Sequence, residues 1–283
     1  MAKQVPWHAS NARKHQYFPK MYQKTVVFKS FRPHSRTVGV IQVGVDEAGR
    51  GSVIGPLVVC ALGVPLEDRE ILSEIGADDS KKLSRKMRTK IHNEIVSLTK
   101  SRKWGLGVII CPPSRIDRVM QSDNLNYLEV ELFAEAIWSA DGDNLATEIL
   151  LDACDINAER FGEAVSEKLG CNWTNCNFRS EHGMDSSDVL VGAASVVAKH
   201  VRDSEIEKIS KSLGIDVGSG YPSDPRAQRA VIELCGEERP HDRLRWRWST
   251  VVSAWNRQRM RPIPERFAVP GEYSQSALDD WNQ

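Results

Sequence analysis

The chain has 283 residues, 41% apolar and 27% charged, with a formal net charge of zero. That is the balance of a water-soluble globular protein of one large domain or two small ones. No apolar run approaches the roughly 20 residues of a membrane-spanning helix, and the first residues lack the apolar core of a secretory signal. A cytoplasmic protein with no membrane partner is therefore expected, nuclear if the source is eukaryotic.

Charge is unevenly distributed. Residues 1–38 carry eight Lys or Arg and no Asp or Glu, which leaves the remaining 245 residues net acidic by eight. An acid-free basic arm on a mildly acidic body points to an anionic partner, nucleic acid first. The alternatives are a solvated extension and a transit peptide, although the arm is rich in Lys and His rather than Arg and Ser. Six cysteines occur, and Cys171 and Cys176 form a C-x4-C pair with no second pair at zinc-site spacing. Reduced thiols in a reducing compartment are expected.

In chain order, "TVVF" within the basic arm is a short strand. Residues 39–47 and 56–64 predict two strands joined by a glycine loop. Residues 84–99 predict a helix capped by Ser84, with Met87, Ile91 and Ile95 on one face. A strand follows at 104–111, an amphipathic helix at 124–140, and strands at 147–154 and 176–182. A long helix spans about 188–213, and another opens with Asp224 as cap and Pro225 at its first position. Strands first, with helices interleaved and then dominating, predict an α/β fold built on a mixed sheet. The expected divisions are a basic flexible extension over 1–38, a catalytic domain over 39–215, a helical extension over 216–256, and a flexible tail over 257–283.

Four carboxylates end apolar elements: Asp46 and Glu47, Asp152, and Asp185 in the loop "SEHGMDSSD". Adjacent strand residues face opposite sides, so Asp46 and Glu47 share a site only if the chain bends at once, which Gly49 and Gly51 allow. Clustered carboxylates repel unless protonated or bridged by a cation. Oxygen-only ligands suit Mg²⁺ or Mn²⁺, and such a site supports a two-metal displacement at phosphorus. For any one of these acids alone a helix cap or an ion-pair partner is the better reading, and it weakens for Asp46 and Glu47 because they come as a pair.

The motifs "DEAGRG" (46–51), "DSKKLS" (79–84), "LLDACDIN" (150–157), "EH-x-x-D" (181–185), "AASVVAKHVRD" (193–203) and "GSGYPSDP" (218–225) occur in that order. Together the chain resembles ribonuclease HII, the type 2 ribonuclease H family, on its archaeal and eukaryotic catalytic-subunit branch. The resemblance covers residues 40–255. It implies a ribonuclease H-like fold: a five-stranded mixed sheet flanked by helices, with a C-terminal helical extension. It further implies a metal-dependent endoribonuclease that cleaves RNA in RNA–DNA hybrids and nicks 5′ of single ribonucleotides in duplex DNA, leaving 5′-phosphate and 3′-hydroxyl ends. That activity serves ribonucleotide excision repair and removal of primer RNA. By the same resemblance Asp46, Glu47, Asp152 and Asp185 are the catalytic metal ligands.

The resemblance also assigns the substrate contacts. Gly49, Arg50 and Gly51 sense the ribose 2′-hydroxyl, with Arg50 available to a phosphate. Tyr221 packs on the neighbouring sugar, and Ser80 and Lys81 meet phosphate. Apart from the resemblance, Lys199 and Arg202 lie three apart on the helix after Asp185 and so share a face, which makes them candidate contacts to the nucleic-acid backbone. The chain departs from the family around the fourth acid, with Gly183-Met184 for Lys-Ala, Asp188-Val189 for Tyr-Pro and Gly192 for Ser. Both Asp185 and Asp188 then remain open as the ligand. "LRWRWST" (244–250) approximates the family's R-x-S-W-x-T, with Arg247 at the serine.

Near the end, Gln275, Leu278 and Trp281 have the spacing Q-x-x-L-x-x-W, which looks like a sliding-clamp box. Its usual second aromatic is replaced by Asn282, and chance in a polar tail is the alternative. A monomer is expected. Two other readings stand beside the nuclease: a non-catalytic nucleic-acid-binding or clamp-associated scaffold on the same fold, and another phosphoryl-transfer enzyme of the wider ribonuclease H-like superfamily.

Overall fold

The computed structural model describes residues 24–26, 40–77, 83–141, 145–173 and 175–266. The strands are β1 (Lys24–Val26), β2 (Ile41–Ala48), β3 (Leu57–Pro65), β4 (Gly105–Cys111), β5 (Ala146–Asp152) and β6 (Asn177–Glu181). The helices are α1 (Arg69–Glu74), α2 (Arg85–Ser101), α3 (Pro113–Val119), α4 (Leu125–Ala140), α5 (Ala158–Leu169), α6 (Val189–Leu213), α7 (Pro225–Leu234) and α8 (Ser249–Arg259). The sheet order is β1-β4-β3-β2-β5-β6. β3 pairs antiparallel with both β2 and β4, and β2-β5 and β5-β6 are parallel. The five expected strands thus form the mixed sheet, and β1 adds a three-residue antiparallel edge beside β4.

The central strand β3 reads "LVVCALGVP" with its first eight residues buried. A strand covered on both faces needs a continuous apolar run rather than an alternating one. On one face lie α4 and α5, with Leu132, Phe133, Ile137, Phe161 and Val165 packed on Val43, Val45 and Ile149. On the other lie α1, α2 and the first half of α6. Gly44 explains how closely α6 approaches: a Cβ there would stand 2.8 Å from the Leu190 carbonyl carbon. The start of α6 is therefore pressed onto β2 two residues before Asp46.

A third apolar core joins α7, α8, Trp246 and the end of α6 to Val53 and Ile54 of the glycine loop. α8 runs to Arg259, and Arg266 is buried in an ion pair with Asp117 at 2.5 Å. Packed structure therefore continues at least ten residues past the expected boundary at 256. An Arg- and Pro-rich composition hid this, because one buried arginine anchors the segment. Helices α1, α3 and α5 were also not expected from the sequence, and α8 was expected only as part of a helical extension over 216–256. For α5 a signal existed: Asn157 caps it, and Phe161, Val165 and Leu169 recur every four residues. Among the described residues no helix is long and apolar enough to cross a membrane. All six cysteines are free.

Candidate active site

β2 and β5 are parallel neighbours, so their C-terminal ends lie together, as functional groups do in α/β sheets. β2 delivers Asp46 and β5 delivers Asp152. The turn between β6 and α6 delivers Asp185. One carboxylate oxygen from each lies within 4.8 Å of those of the other two. Asp46 and Asp185 are buried and Asp152 is half-buried.

Each acid is held by a local device. Asp46 accepts the Glu47 backbone N–H at 2.7 Å. Asp152 accepts the N–H groups of Gly183 and Met184, at 2.7 and 3.1 Å, and so ties the fourth-acid loop to β5. Gly183 has φ +69, and Met184 is buried in the core beneath α6. The atypical Gly-Met pair is thus a left-handed turn followed by a core anchor. Asp188 does not join the cluster. Its carboxylate caps α6 by accepting from Leu190 and Val191, and it pairs with Arg69 at 2.6 Å. Of the two residues left open as ligand, the geometry places Asp185 with the other acids.

Glu47 stands at the margin of the three-acid cluster. Its carboxyl shares a hydrogen bond with that of Asp46. α6 adds two groups: Ser195 hydrogen-bonds Asp46, and Lys199 donates to Ser195 Oγ at 2.8 Å while its Nζ sits 3.7 Å from Asp185. Burial, and then the neighbouring Glu47, holds the Asp46 carboxyl well above the ordinary carboxylate range. Burial, then the charges of Asp46 and Asp185, raises Asp152 to about 6. Burial chiefly raises Glu47 as well. Carboxylates crowded into a buried site against their own charge are suited to holding a cation. All the donors are hard oxygens, which fits Mg²⁺ or Mn²⁺ rather than a metal that prefers sulfur or imidazole.

The glycine loop beside the acids is rigidly supported. Gly49 has φ +94, and a Cβ there would stand 2.8 Å from the Pro56 carbonyl. Arg245, fully buried, donates to the carbonyls of Arg50 (2.7 Å), Gly49 (2.6 Å) and Gly55 (3.2 Å). Arg50 itself pairs through Nε with Glu129 at 2.7 Å and donates through Nη2 to Asn126 at 2.7 Å. Gly51 is exposed, and a Cβ there would meet nothing within 4 Å.

Lys199 and Arg202, expected to act together on one helix face, have separate roles. Lys199 faces the acids. Arg202, expected to contact nucleic-acid backbone, is instead only 4% exposed. Its guanidinium donates to Ser52 Oγ at 2.8 Å and to the Ser219 carbonyl, and it lies 4.5 Å from the Tyr221 ring centroid. It is committed to joining the glycine loop to "GSGY", which the Val53 N–H to Gly220 carbonyl bond at 2.8 Å reinforces. Tyr221 is half-buried, with one face on that guanidinium. Ser80 and Lys81, the basic arm over 1–38, and Gln275, Leu278 and Trp281 lie outside the residues whose side chains are described.

Glu129 and Asn126 were missed from the sequence, and Arg245 stood there only as the arginine of the R-x-S-W-x-T match, with no role given to it. Glu129 carried a signal: it lies in the apolar stripe of α4 formed by Leu128, Leu132, Phe133 and Ala136, where an acid needs a partner. Burial raises its carboxyl to about 7 against the pull of Arg50.

The family model for ribonuclease HII matches residues 43–251. The chain is 47% identical to "Ribonuclease HII" of Methanocella arvoryzae over 65% of its length and 77% of that protein. It resembles the crystal structure of the ribonuclease H2 from Pyrococcus horikoshii at TM-score 0.67 and 32% identity, covering 78% of this chain and all of that one. The RNase HII of a PCNA:RNase HII complex from Archaeoglobus fulgidus matches at TM-score 0.65 and 33% identity, over 75% of this chain and 96% of that one.

Proposed function

Because the chain belongs to the ribonuclease HII family, we propose that this ribonuclease cleaves the RNA strand of RNA–DNA hybrids and nicks 5′ of single ribonucleotides embedded in duplex DNA. The products are 5′-phosphate and 3′-hydroxyl ends, and the role is ribonucleotide excision repair and removal of primer RNA. One observation carries this reading: the three-acid cluster and the fixed Gly-Arg-Gly turn are joined through the end of β2, three residues apart.

Asp46, Asp152 and Asp185, with Glu47 beside them, are the groups that hold divalent cations. Two bound Mg²⁺ or Mn²⁺ ions would supply an activated water and neutralise the leaving oxygen. Lys199 and Ser195 brace Asp46 and Asp185 from α6. The fold does not require glycine at 51, since a Cβ there meets no protein atom within 4 Å. Its smallness serves something outside the fold, and a ribose brought against the turn is that object. The exposed edge of Tyr221, its ring braced by Arg202, is the neighbouring surface on which the adjacent sugar packs.

A sliding clamp is the proposed protein partner, held through Gln275, Leu278 and Trp281. The clamp complex formed by a relative from Archaeoglobus fulgidus supports this. The acids, the glycine turn and Tyr221 all come from one chain, so we read the working unit as a monomer.

The test is cleavage of a duplex with one embedded ribonucleotide, with and without Mg²⁺, beside an all-DNA control. Wild type should nick only the ribonucleotide duplex and only with metal. Asp46→Asn and Asp185→Asn should each lose at least about a hundredfold in rate, as when a group that stabilises transition-state charge is removed. Normal cleavage by both variants would show that the site is wrongly assigned.

A further inference from the structure

The side chain of Arg50 is not loose on its turn. A guanidinium has five N–H donors in a fixed plane. Nε–H is taken by Glu129 Oε1 and one Nη2 hydrogen by Asn126 Oδ1, each at 2.7 Å. Both Nη1 hydrogens and the second Nη2 hydrogen have no partner among the described residues. The Arg50 side chain is 39% exposed while that of Glu129 is fully buried. One edge of the guanidinium is therefore fastened to the protein, and the edge formed by Nη1 and Nη2 is left to solvent. Asn126 and Glu129 lie three apart on α4 and share a face, so one rigid helix holds both contacts. The second Glu129 oxygen, Oε2, is buried with no hydrogen-bond partner among the described residues. Packing and caps account for neither residue. The helix is capped by Asn124, and a leucine would suit the stripe at position 129 better than an acid.

We propose that Glu129 and Asn126 are positioning residues for substrate recognition, fixing the Arg50 guanidinium so that its free Nη1/Nη2 edge grips one phosphate of the nucleic-acid strand next to the ribonucleotide. A fork held in plane loses little freedom when it binds a phosphate through two N–H groups. A lysine cannot do this, because it has no second edge by which to be held. The proposal rests on the glycine turn being the substrate-binding edge, and the experiment separates the two.

The substrate is the duplex with one embedded ribonucleotide, prepared with a single uncharged methylphosphonate at each phosphate in turn. Glu129→Met removes the acceptor and keeps the volume. Glu129→Gln keeps an acceptor, and Asn126→Ala removes the second contact from a half-buried position. Thermal unfolding checks that each variant is folded. Glu129→Met and Asn126→Ala should raise KM about tenfold with little change in kcat, the loss expected for one charge-assisted contact, and Glu129→Gln should restore KM to within about threefold. One methylphosphonate position should cost wild type the same factor. At that position Arg50→Ala, Glu129→Met and Asn126→Ala should add no further loss.

The proposal is overturned if KM is unchanged in folded Glu129→Met and Asn126→Ala, or if their losses persist at every methylphosphonate position and multiply with that of Arg50→Ala. Failure of the underlying reading looks different: Arg50→Ala and a methylphosphonate scan across the ribonucleotide would then leave wild-type KM unmoved.

Discussion

Replacing Asp152 by Asn should make the metal-free protein more stable while destroying its activity. The Asp152 carboxyl is raised from its ordinary 3.8 to about 6 by burial and by the charges of Asp46 and Asp185. A rise of that size corresponds to about 3 kcal/mol of strain in the ionised, metal-free site. The group is half-exposed, so solvent screening reduces the usable figure to about 1–2 kcal/mol. The sign follows from proton counting. Between 3.8 and about 6 the folded protein binds more protons than the unfolded chain, so stability falls as pH rises through that window. Asparagine never ionises, and its carbonyl can still accept from Gly183 and Met184. In EDTA at pH 8, urea unfolding should place Asp152→Asn about 1–2 kcal/mol above wild type. The gap should narrow below pH 6 and close towards 3.8. Mg²⁺ should then stabilise wild type by mass action and leave the variant nearly unmoved. A variant no more stable than wild type in EDTA at pH 8, or a gap that widens as pH falls, would refute the reasoning.

Arg245→Met leaves the carbonyls of Gly49, Arg50 and Gly55 without their shared donor, and of the three the Gly49 carbonyl keeps the Ser52 N–H. With about 1–3 kcal/mol for each unsatisfied acceptor, partly offset by no longer burying a charge, a net loss of about 3 kcal/mol is expected in urea unfolding. An unchanged midpoint would mean that the guanidinium does not hold the loop. Gly51→Ala should leave the midpoint within about 0.5 kcal/mol, because the fold has room for the methyl. Its cleavage of the embedded ribonucleotide should nevertheless fall about tenfold or more, and normal cleavage would remove Gly51 from recognition. A peptide of residues 270–283 should bind a sliding clamp, with Trp281→Ala abolishing binding. Calorimetry without heat at high micromolar clamp would exclude that partner.

The sheet and the acids were legible because local rules write them. An apolar run ending in a carboxylate marks a strand that delivers a group to a site, and "ILLD" and "VGVDE" both do this. Capping rules located Ser84 and Asp224 at helix starts. Arg202 was misread because helical spacing says which residues share a face, and nothing about what covers that face. Its partners, Ser52 and Ser219, come from loops 150 and 17 residues away. Glu129 was overlooked for the same reason, since its partner lies 79 residues upstream. Residue types announce that a buried charge must be paired, and only the tertiary fold names the pair.

The two halves of the site depend on different cores. Asp46 and Asp152 stand on β2 and β5, whose apolar residues pack in the two cores on the faces of the sheet. The glycine turn belongs elsewhere: Val53 and Ile54 sit in the third core with Trp246, Val251 and Trp255, and Arg245 closes the turn from that side. Asp117 and Arg266 fasten the segment at 244–247 to α3 in turn, through the Trp246 and Arg247 N–H groups and the Leu244 carbonyl. The C-terminal helices are thus the scaffold of the glycine turn, and the sheet is the scaffold of Asp46 and Asp152. Changes in the C-terminal core will reach the glycine turn before they reach the acids, although Asp46 and Gly49 are only three residues apart.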